Sequence, residues 1–244
     1  MNHLKKISLL LLMLAATATQ AQILISLLFG KTLNTEKIEF GLTGGLNQSY
    51  LLDIEDAEGL NNFNLGFYFH IRMMPKSFLS TGVLMKSNVG ATGMPTYPVG
   101  DEGFDAVFLN GTRTITMNIF YVPLMWQQRL HPRFFIEGGV QTGLRRRVFD
   151  SFEAESSIGE VSFQANISNK YSRLDFGLIG GMGYKFKDNI KSMSIGVLYY
   201  YGLIDMHRDP EIQSRNSSVY AYMRIPIGMG PKKGEMNSAT KAEF

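Results

Sequence analysis

Residues 62–73 read NFNLGFYFHIRM. One parity holds Phe63, Leu65, Phe67, Phe69, Ile71 and Met73, and the other holds Asn62, Asn64, Gly66, Tyr68, His70 and Arg72. Successive side chains of a strand point to opposite faces, so this stretch has one apolar face and one polar face. At helical spacing the same apolar residues would scatter around the cylinder. The segment is a strand.

The alternation recurs seven more times. Ile38, Phe40, Leu42, Leu46 and Tyr50 alternate with Glu39, Gly41, Thr43, Gly45, Asn47 and Ser49. Leu79, Thr81, Val83, Met85 and Val89 alternate with Ser80, Gly82, Lys86 and Asn88, and Ile115, Met117, Ile119, Tyr121 and Pro123 with Thr114, Thr116 and Asn118. Phe134, Ile136, Val140 and Leu144 oppose Glu137, Gly139, Gln141, Gly143 and Arg145. Leu174, Phe176, Leu178, Met182, Tyr184 and Phe186 oppose Arg173, Asp175, Gly177, Gly181, Gly183 and Lys185. Met193, Ile195, Val197, Tyr199, Tyr201 and Leu203 oppose Ser194, Gly196, Tyr200 and Gly202. Val219, Ala221, Met223, Ile225 and Ile227 oppose Ser218, Tyr220, Tyr222 and Arg224.

Eight strands of roughly 10 to 14 residues have the length that crosses a bilayer at a ~45° tilt. Their connections alternate too. Met74-Pro75-Lys76-Ser77, Leu130-His131-Pro132-Arg133 and residues 187–191 make tight turns, whereas residues 52–60, 91–111, 146–170 and 205–214 make longer loops. An even strand count with short turns at one end and long loops at the other marks an outer-membrane barrel. A soluble barrel of lipocalin type has the same period with its apolar residues inside. The uncharged apolar face, the Gly-, Ser-, Thr- and Asn-rich opposite face and the strand length favour lipid outside and a filled polar lumen. Tyr50, Tyr121, Phe134, Tyr184, Phe186, Tyr199 and Tyr201 fall near strand ends, where interfacial girdles sit.

Composition agrees. Of 244 residues, 45% are apolar and 12% aromatic, while only 18% are charged, below the roughly 25% of an average soluble chain. A largely disordered chain is excluded by the aromatics. The absence of cysteine excludes a disulfide framework and a thiolate nucleophile. Residues 1–21 carry Lys5 and Lys6, an apolar core and a Thr19-Gln20-Ala21 cleavage site, the pattern of a signal peptide. Residues 22–37 contain the apolar run ILISLLF and are expected to form a short interfacial or plug helix. The barrel domain is expected over residues 38–228, followed by a polar tail at 229–244. Without Lys5 and Lys6 the net charge is roughly +1, and nothing points to nucleic acid.

The chain resembles the PorT-like outer membrane β-barrel family of Bacteroidota. The resemblance rests on FGLTGGLNQSYL at 40–51, YVPLMWQQRLHPRFFIEGGVQTGL at 121–144, DFGLIGGMGYKF at 175–186 and Tyr200-Tyr201-Gly202-Leu203. It implies an outer-membrane barrel, and its namesake assists protein secretion across that membrane.

The inward parity collects Glu39, Glu137 and Asp175 against Arg72, Lys86, Arg145, Arg173, Lys185 and Arg224, with His70 beside them. An eight-stranded lumen is just wide enough for side chains to fill, so these charges are expected to pair as a plugging network. Arg145, Arg146 and Arg147 either meet lipopolysaccharide phosphates at the outer rim or close that network. His131 sits in a turn and His207 in a charged loop. No nucleophile motif accompanies any histidine, and no ligand spacing points to a metal or cofactor. The expectation is an all-β, eight-stranded antiparallel transmembrane barrel, monomeric and non-enzymatic. Its short turns would be periplasmic and its long loops extracellular. Its role would be structural or interactive, at the cell surface or in a secretion complex. Its partners would be outer-membrane lipid, lipopolysaccharide, the barrel insertion machinery and a secretion-system or surface protein. A narrow porin and a lipid-modifying barrel enzyme are the alternatives.

Overall fold

The computed structural model describes residues 37–227 apart from 55, 99, 101–104, 106, 109–110, 157–158 and 189–190. The signal peptide, most of the 22–37 segment and the polar tail lie outside the described residues. Ten strands follow in chain order: β1 (Ile38–Leu52), β2 (Glu58–Met74), β3 (Ser77–Lys86), β4 (Asn88–Met94), β5 (Thr112–Arg129), β6 (Phe134–Ser156), β7 (Gly159–Asn166), β8 (Leu174–Lys185), β9 (Ser194–Gly202) and β10 (Arg215–Pro226). All their pairings are antiparallel. β1 joins β2 on one side and β10 on the other, from Gly41↔Pro226 to Leu52↔Arg215, so the sheet closes on itself. Closure removes the exposed edges an open sheet would carry.

The ring has eight staves, because β3 and β4 together form one stave and β7 is an added hairpin arm on β6. One expected loop is therefore largely strand, and a second begins later than expected. The stretch after residue 146 continues β6 to Ser156 and returns as β7, and Ala91–Met94 closes β4 rather than opening a loop. An aromatic cluster of Tyr97, Phe108, Phe152 and Phe163 stiffens the β6–β7 arm, with ring centroids 5.1 to 6.5 Å apart.

Outside the staves runs an apolar band. Leu46, Leu65, Leu124, Trp126, Leu178, Met182, Val197 and Met223 are all exposed, Leu46 at 69%. Phe40 stacks between Phe67 and Phe69 at 5.7 and 4.9 Å on the same surface. A soluble monomer rarely exposes more than a few hundred Å² of contiguous apolar surface, so this band belongs in hydrocarbon.

Toward the long-loop end the phase reverses. Ile115, Met117, Ile119 and Tyr121 were expected on the lipid face, yet all four are buried in the barrel interior. Their partners Thr114, Thr116 and Asn118 lie on the outside, paired to the upper part of β6, where Glu153 and Glu155 are exposed and Val148 and Phe152 are buried. This half of the wall stands beyond the apolar band, so its outer face meets water and its inner face holds the core. Lower on β5 the outward residues are Val122, Leu124 and Trp126. Period two is common to both halves; the solvent outside decides which parity is apolar.

Irregularities in the β3/β4 stave correct two further assignments. The register shifts between Leu65↔Lys86 and Gly66↔Leu84, a bulge that turns Lys86 outward into exposure and Val89 inward to full burial. β4 then leans across the lumen toward β1. Asn47 Nδ2 donates to the Asn88 carbonyl at 2.9 Å, and Ser49 Oγ both accepts from the Gly90 N–H at 2.9 Å and donates to its carbonyl at 3.0 Å. Gly90 holds φ at 149°, a backbone shape side chains rarely tolerate, which permits this approach.

Candidate functional site

The lumen is filled by residues from nearly every stave, in tiers. At the short-turn end, Glu39 on β1 accepts two hydrogen bonds and faces a histidine. Tyr68 Oη donates at 2.7 Å, Lys185 Nζ at 3.2 Å, and His70 Nδ1 stands 3.5 Å away. Across the lumen Arg224 Nη1 donates to Glu137 Oε2 at 2.9 Å and lies 3.4 Å from His70 Nε2. Glu137 also accepts Tyr222 Oη at 2.6 Å and Gln127 Nε2 at 3.4 Å. The Arg224 guanidinium stacks on Tyr222 at 4.2 Å. Lys185, Glu39, His70, Arg224 and Glu137 thus form one chain of contacts spanning β8, β1, β2, β10 and β6. Two carboxylates face two fixed cations, so the tier is charge-compensated, the condition for burying such groups at all.

Above it, Gln141 Nε2 donates to Tyr220 Oη at 3.2 Å and Asn47 Nδ2 to Asn64 Oδ1 at 2.9 Å. A residual cavity of about 40 Å³ remains beside Thr43, Asn64, Ser80 and Gln141. That is room for roughly three water molecules.

Asp175 occupies a separate upper tier. Its donors are two phenols and an amide: Tyr121 Oη at 2.6 Å, Tyr200 Oη at 2.7 Å and Asn216 Nδ2 at 2.8 Å. It is held by neutral groups within an apolar core that includes Val89, Met117, Ile119 and Met206. Arg145 is buried and donates to backbone carbonyls, Nε to Ser172 O at 2.6 Å and Nη2 to Tyr171 O at 3.1 Å.

The ten residues expected to line the lumen therefore divide. Glu39, His70, Glu137, Lys185 and Arg224 come together. Asp175 and Arg145 are buried elsewhere. Arg72 is half-buried, with its guanidinium 5.9 Å from the Phe78 ring. Lys86 and Arg173 are exposed, Lys86 because of the bulge and Arg173 because it precedes β8. A bulge in the β5/β6 ladder, where Arg147 faces Asn118 and Arg145 faces Ile119, splits the arginine run. Arg145 points inward, while Arg146 and Arg147 are exposed, Arg146 lying over the Phe120 ring at 5.2 Å.

The tyrosines were missed. Tyr68, Tyr200, Tyr220 and Tyr222 stand on the inward parity in the sequence, and that placement was the available signal. Also missed was the rim clasp on the β6–β7 arm. Arg113 donates to Asp150 from Nε and Nη2, both at 2.9 Å, and stacks on Tyr97 at 4.7 Å. Burial, then the hydrogen bond to Asp150, raises the Tyr97 phenol. Burial likewise pushes Tyr171 up to about 12, where it stacks edge-on to His207 at 5.1 Å. Asp53 is held below the usual carboxylate range by its hydrogen bonds from Arg215, at 2.8 and 2.9 Å. Asp53, Arg113, Tyr171, His207 and Ile212 help line an open cup of about 450 Å³ at the long-loop end. Among the described residues no group of three or more His, Asp or Glu could hold a metal ion.

This closed barrel, with its apolar band and plugged lumen, matches a known family. Residues 20–208 match the family profile described as outer membrane protein beta-barrel domain, and the chain belongs to that family. It is an integral outer-membrane β-barrel. No curated protein matches significantly. Among solved structures, the chain is similar to Ail, the attachment invasion locus protein of Yersinia pestis, at 10% identity and a TM-score of 0.44, covering 78% of this chain and 98% of that one. Ail in complex with the heparin analogue sucrose octasulfate matches at 11% identity and a TM-score of 0.42, covering 77% and 97%. The toluene transporter TodX of Pseudomonas putida matches at 9% identity and a TM-score of 0.30, covering 83% and 71%.

Proposed function

We propose that this chain is a non-conducting, non-enzymatic barrel that acts through its long-loop end, by surface contact or within a secretion complex. The observation that carries this reading is the lumen. A compensated network crosses it, and the cavity left is about 40 Å³, far below the few hundred Å³ of a small-molecule site. What remains for function is the far end, where the stiffened β6–β7 arm and the open cup stand. β7 pairs with β6 along one edge, and most of its residues are exposed. Such an edge can receive an added strand from a partner.

The narrower PorT-like placement draws its support from the quoted segments at 40–51, 121–144 and 175–186. Exposed Arg146 and Arg147 beside the apolar band support a contact with lipopolysaccharide phosphates at the extracellular rim, short turns being periplasmic. Insertion by the barrel assembly machinery and a monomeric state complete the reading.

Single-channel recording in planar bilayers tests it. The purified chain is expected to give no discrete openings in concentrated potassium chloride. Steps whose conductance scales with salt would establish a narrow porin instead.

A further inference from the structure

The short-turn end of the barrel is strongly basic. Its three tight turns carry Lys76, Arg133, Lys187 and Lys191, and Arg129 ends β5 beside them. Among the described residues the one acid in those turns is Asp188, since Glu39 and Glu137 are buried within the lumen. Arg133 is exposed, and its Nη1 donates to Tyr184 Oη at 3.3 Å.

Tyr184 is also where an apolar groove of about 560 Å³ begins on the outer wall. The ladder gives its course: Phe134↔Tyr184, Tyr184↔Ile195, Ile195↔Met223 and Met223↔Gly44. Phe134 opens β6 at the short-turn rim, whereas Gly44 lies well inside β1. The groove therefore climbs obliquely from the rim toward mid-barrel, as tilted strands require. Four inter-strand steps of about 4.8 Å make a path of roughly 19 Å, which at a ~45° tilt rises roughly 14 Å, close to the roughly 15 Å of hydrocarbon in one leaflet. Gly44 and Ala221 keep its upper part shallow-walled.

We infer that this groove and the Arg133–Tyr184 rim form a site for an anionic phospholipid of the leaflet at the short-turn end. The phosphate sits on Arg133, and one acyl chain follows the groove to Gly44. Charge complementarity selects this occupant. A second copy docked about a two-fold axis at this rim would set Arg133 and its basic neighbours against themselves, whereas a phosphate neutralises them. The lining, almost wholly apolar beyond Tyr184, suits an alkyl chain.

Native mass spectrometry of the full chain, with phosphatidylglycerol or phosphatidylcholine added in matched micelles, tests the site. Heat-dependent gel mobility would verify folding of each variant. Wild type is expected to retain phosphatidylglycerol preferentially. Arg133→Gln is expected to weaken that retention about tenfold, the loss of one charge-assisted contact, and to abolish the headgroup preference. Gly44→Leu, where a Cβ meets nothing nearer than 3.4 Å, should fold and should reduce retention of both lipids. Arg146→Gln at the opposite rim should change neither. Equal retention of the two lipids by wild type would overturn the proposal. So would unchanged retention in folded Gly44→Leu, or a dimer mass that phosphatidylglycerol does not displace.

Discussion

Arg224 on β10 and Glu137 on β6 meet across the lumen at 2.9 Å, although β8 and β9 separate their strands in the wall. The contact ties opposite sides of the barrel together, and both side chains are almost fully buried. Removing one partner strands the other. Arg224→Met or Glu137→Leu alone should cost about 3–5 kcal/mol, and the double substitution less than either. Urea unfolding in micelles, read as a double-mutant cycle, measures this. Additive costs would mean the pair is not coupled.

Asp175 has a different role from the paired carboxylates. Its three donors come from β5, β9 and β10, so it fastens the upper core. Asp175→Leu leaves two phenols and an amide unsatisfied and should cost about 3 kcal/mol or more, against about 1–3 for Tyr121→Phe. The same unfolding titration reads both, and equal losses would count against a shared acceptor.

Lys86 and Arg173 serve as the contrast. Each is exposed, so Lys86→Gln and Arg173→Gln should move stability by no more than about 0.5 kcal/mol. A loss comparable to that of Arg224→Met would place them back in the network.

The Asp53–Arg215 clasp predicts a response to acid at the rim. Its hydrogen bonds lower the Asp53 pKa in the folded state, so the stability it contributes is present above the unfolded value, about 3.9. That contribution is lost as pH falls through the lowered folded value. A nitroxide on a cysteine placed at Ala57 should sharpen in spectrum only in that acid range, and Asp53→Asn should be mobile at every pH. An acid transition persisting in Asp53→Asn would assign the effect to another group.

The sequence carried most of the fold. Alternation through Phe63–Met73, the tight turn at Pro75 and the Gly-rich run at 177–183 were enough for a closed antiparallel barrel of eight staves. Its sign on β5 was not legible. Ile115 and Met117 alternate with threonines just as Phe67 and Phe69 alternate with Tyr68 and His70, yet one set faces the core and the other faces lipid. The difference lies in the height of each stretch relative to the bilayer, which pairing register sets and local pattern does not. The bulge that displaced Lys86 was hidden for the same reason, since one extra residue reverses every later side chain. Within the lumen, charged members of the network were legible by parity. Their tyrosine partners stood on that parity too, but an aromatic ring there reads as easily as filler. Asp175 could not be distinguished from Glu137 without knowing which strands face each across the lumen.

The reversal of apolar parity between the lower and upper wall is sharpest on β5. The chain has no cysteine, so single cysteines can be placed along residues 114–126 and spin-labelled without background. Collision with oxygen and with a water-soluble nickel chelate is the measurement. Oxygen access is expected at 122, 124 and 126, nickel access at 114 and 116, and protection from both at 115, 117, 119 and 121. Oxygen access at 115, 117 and 119 would put those residues in lipid and contradict the reversal.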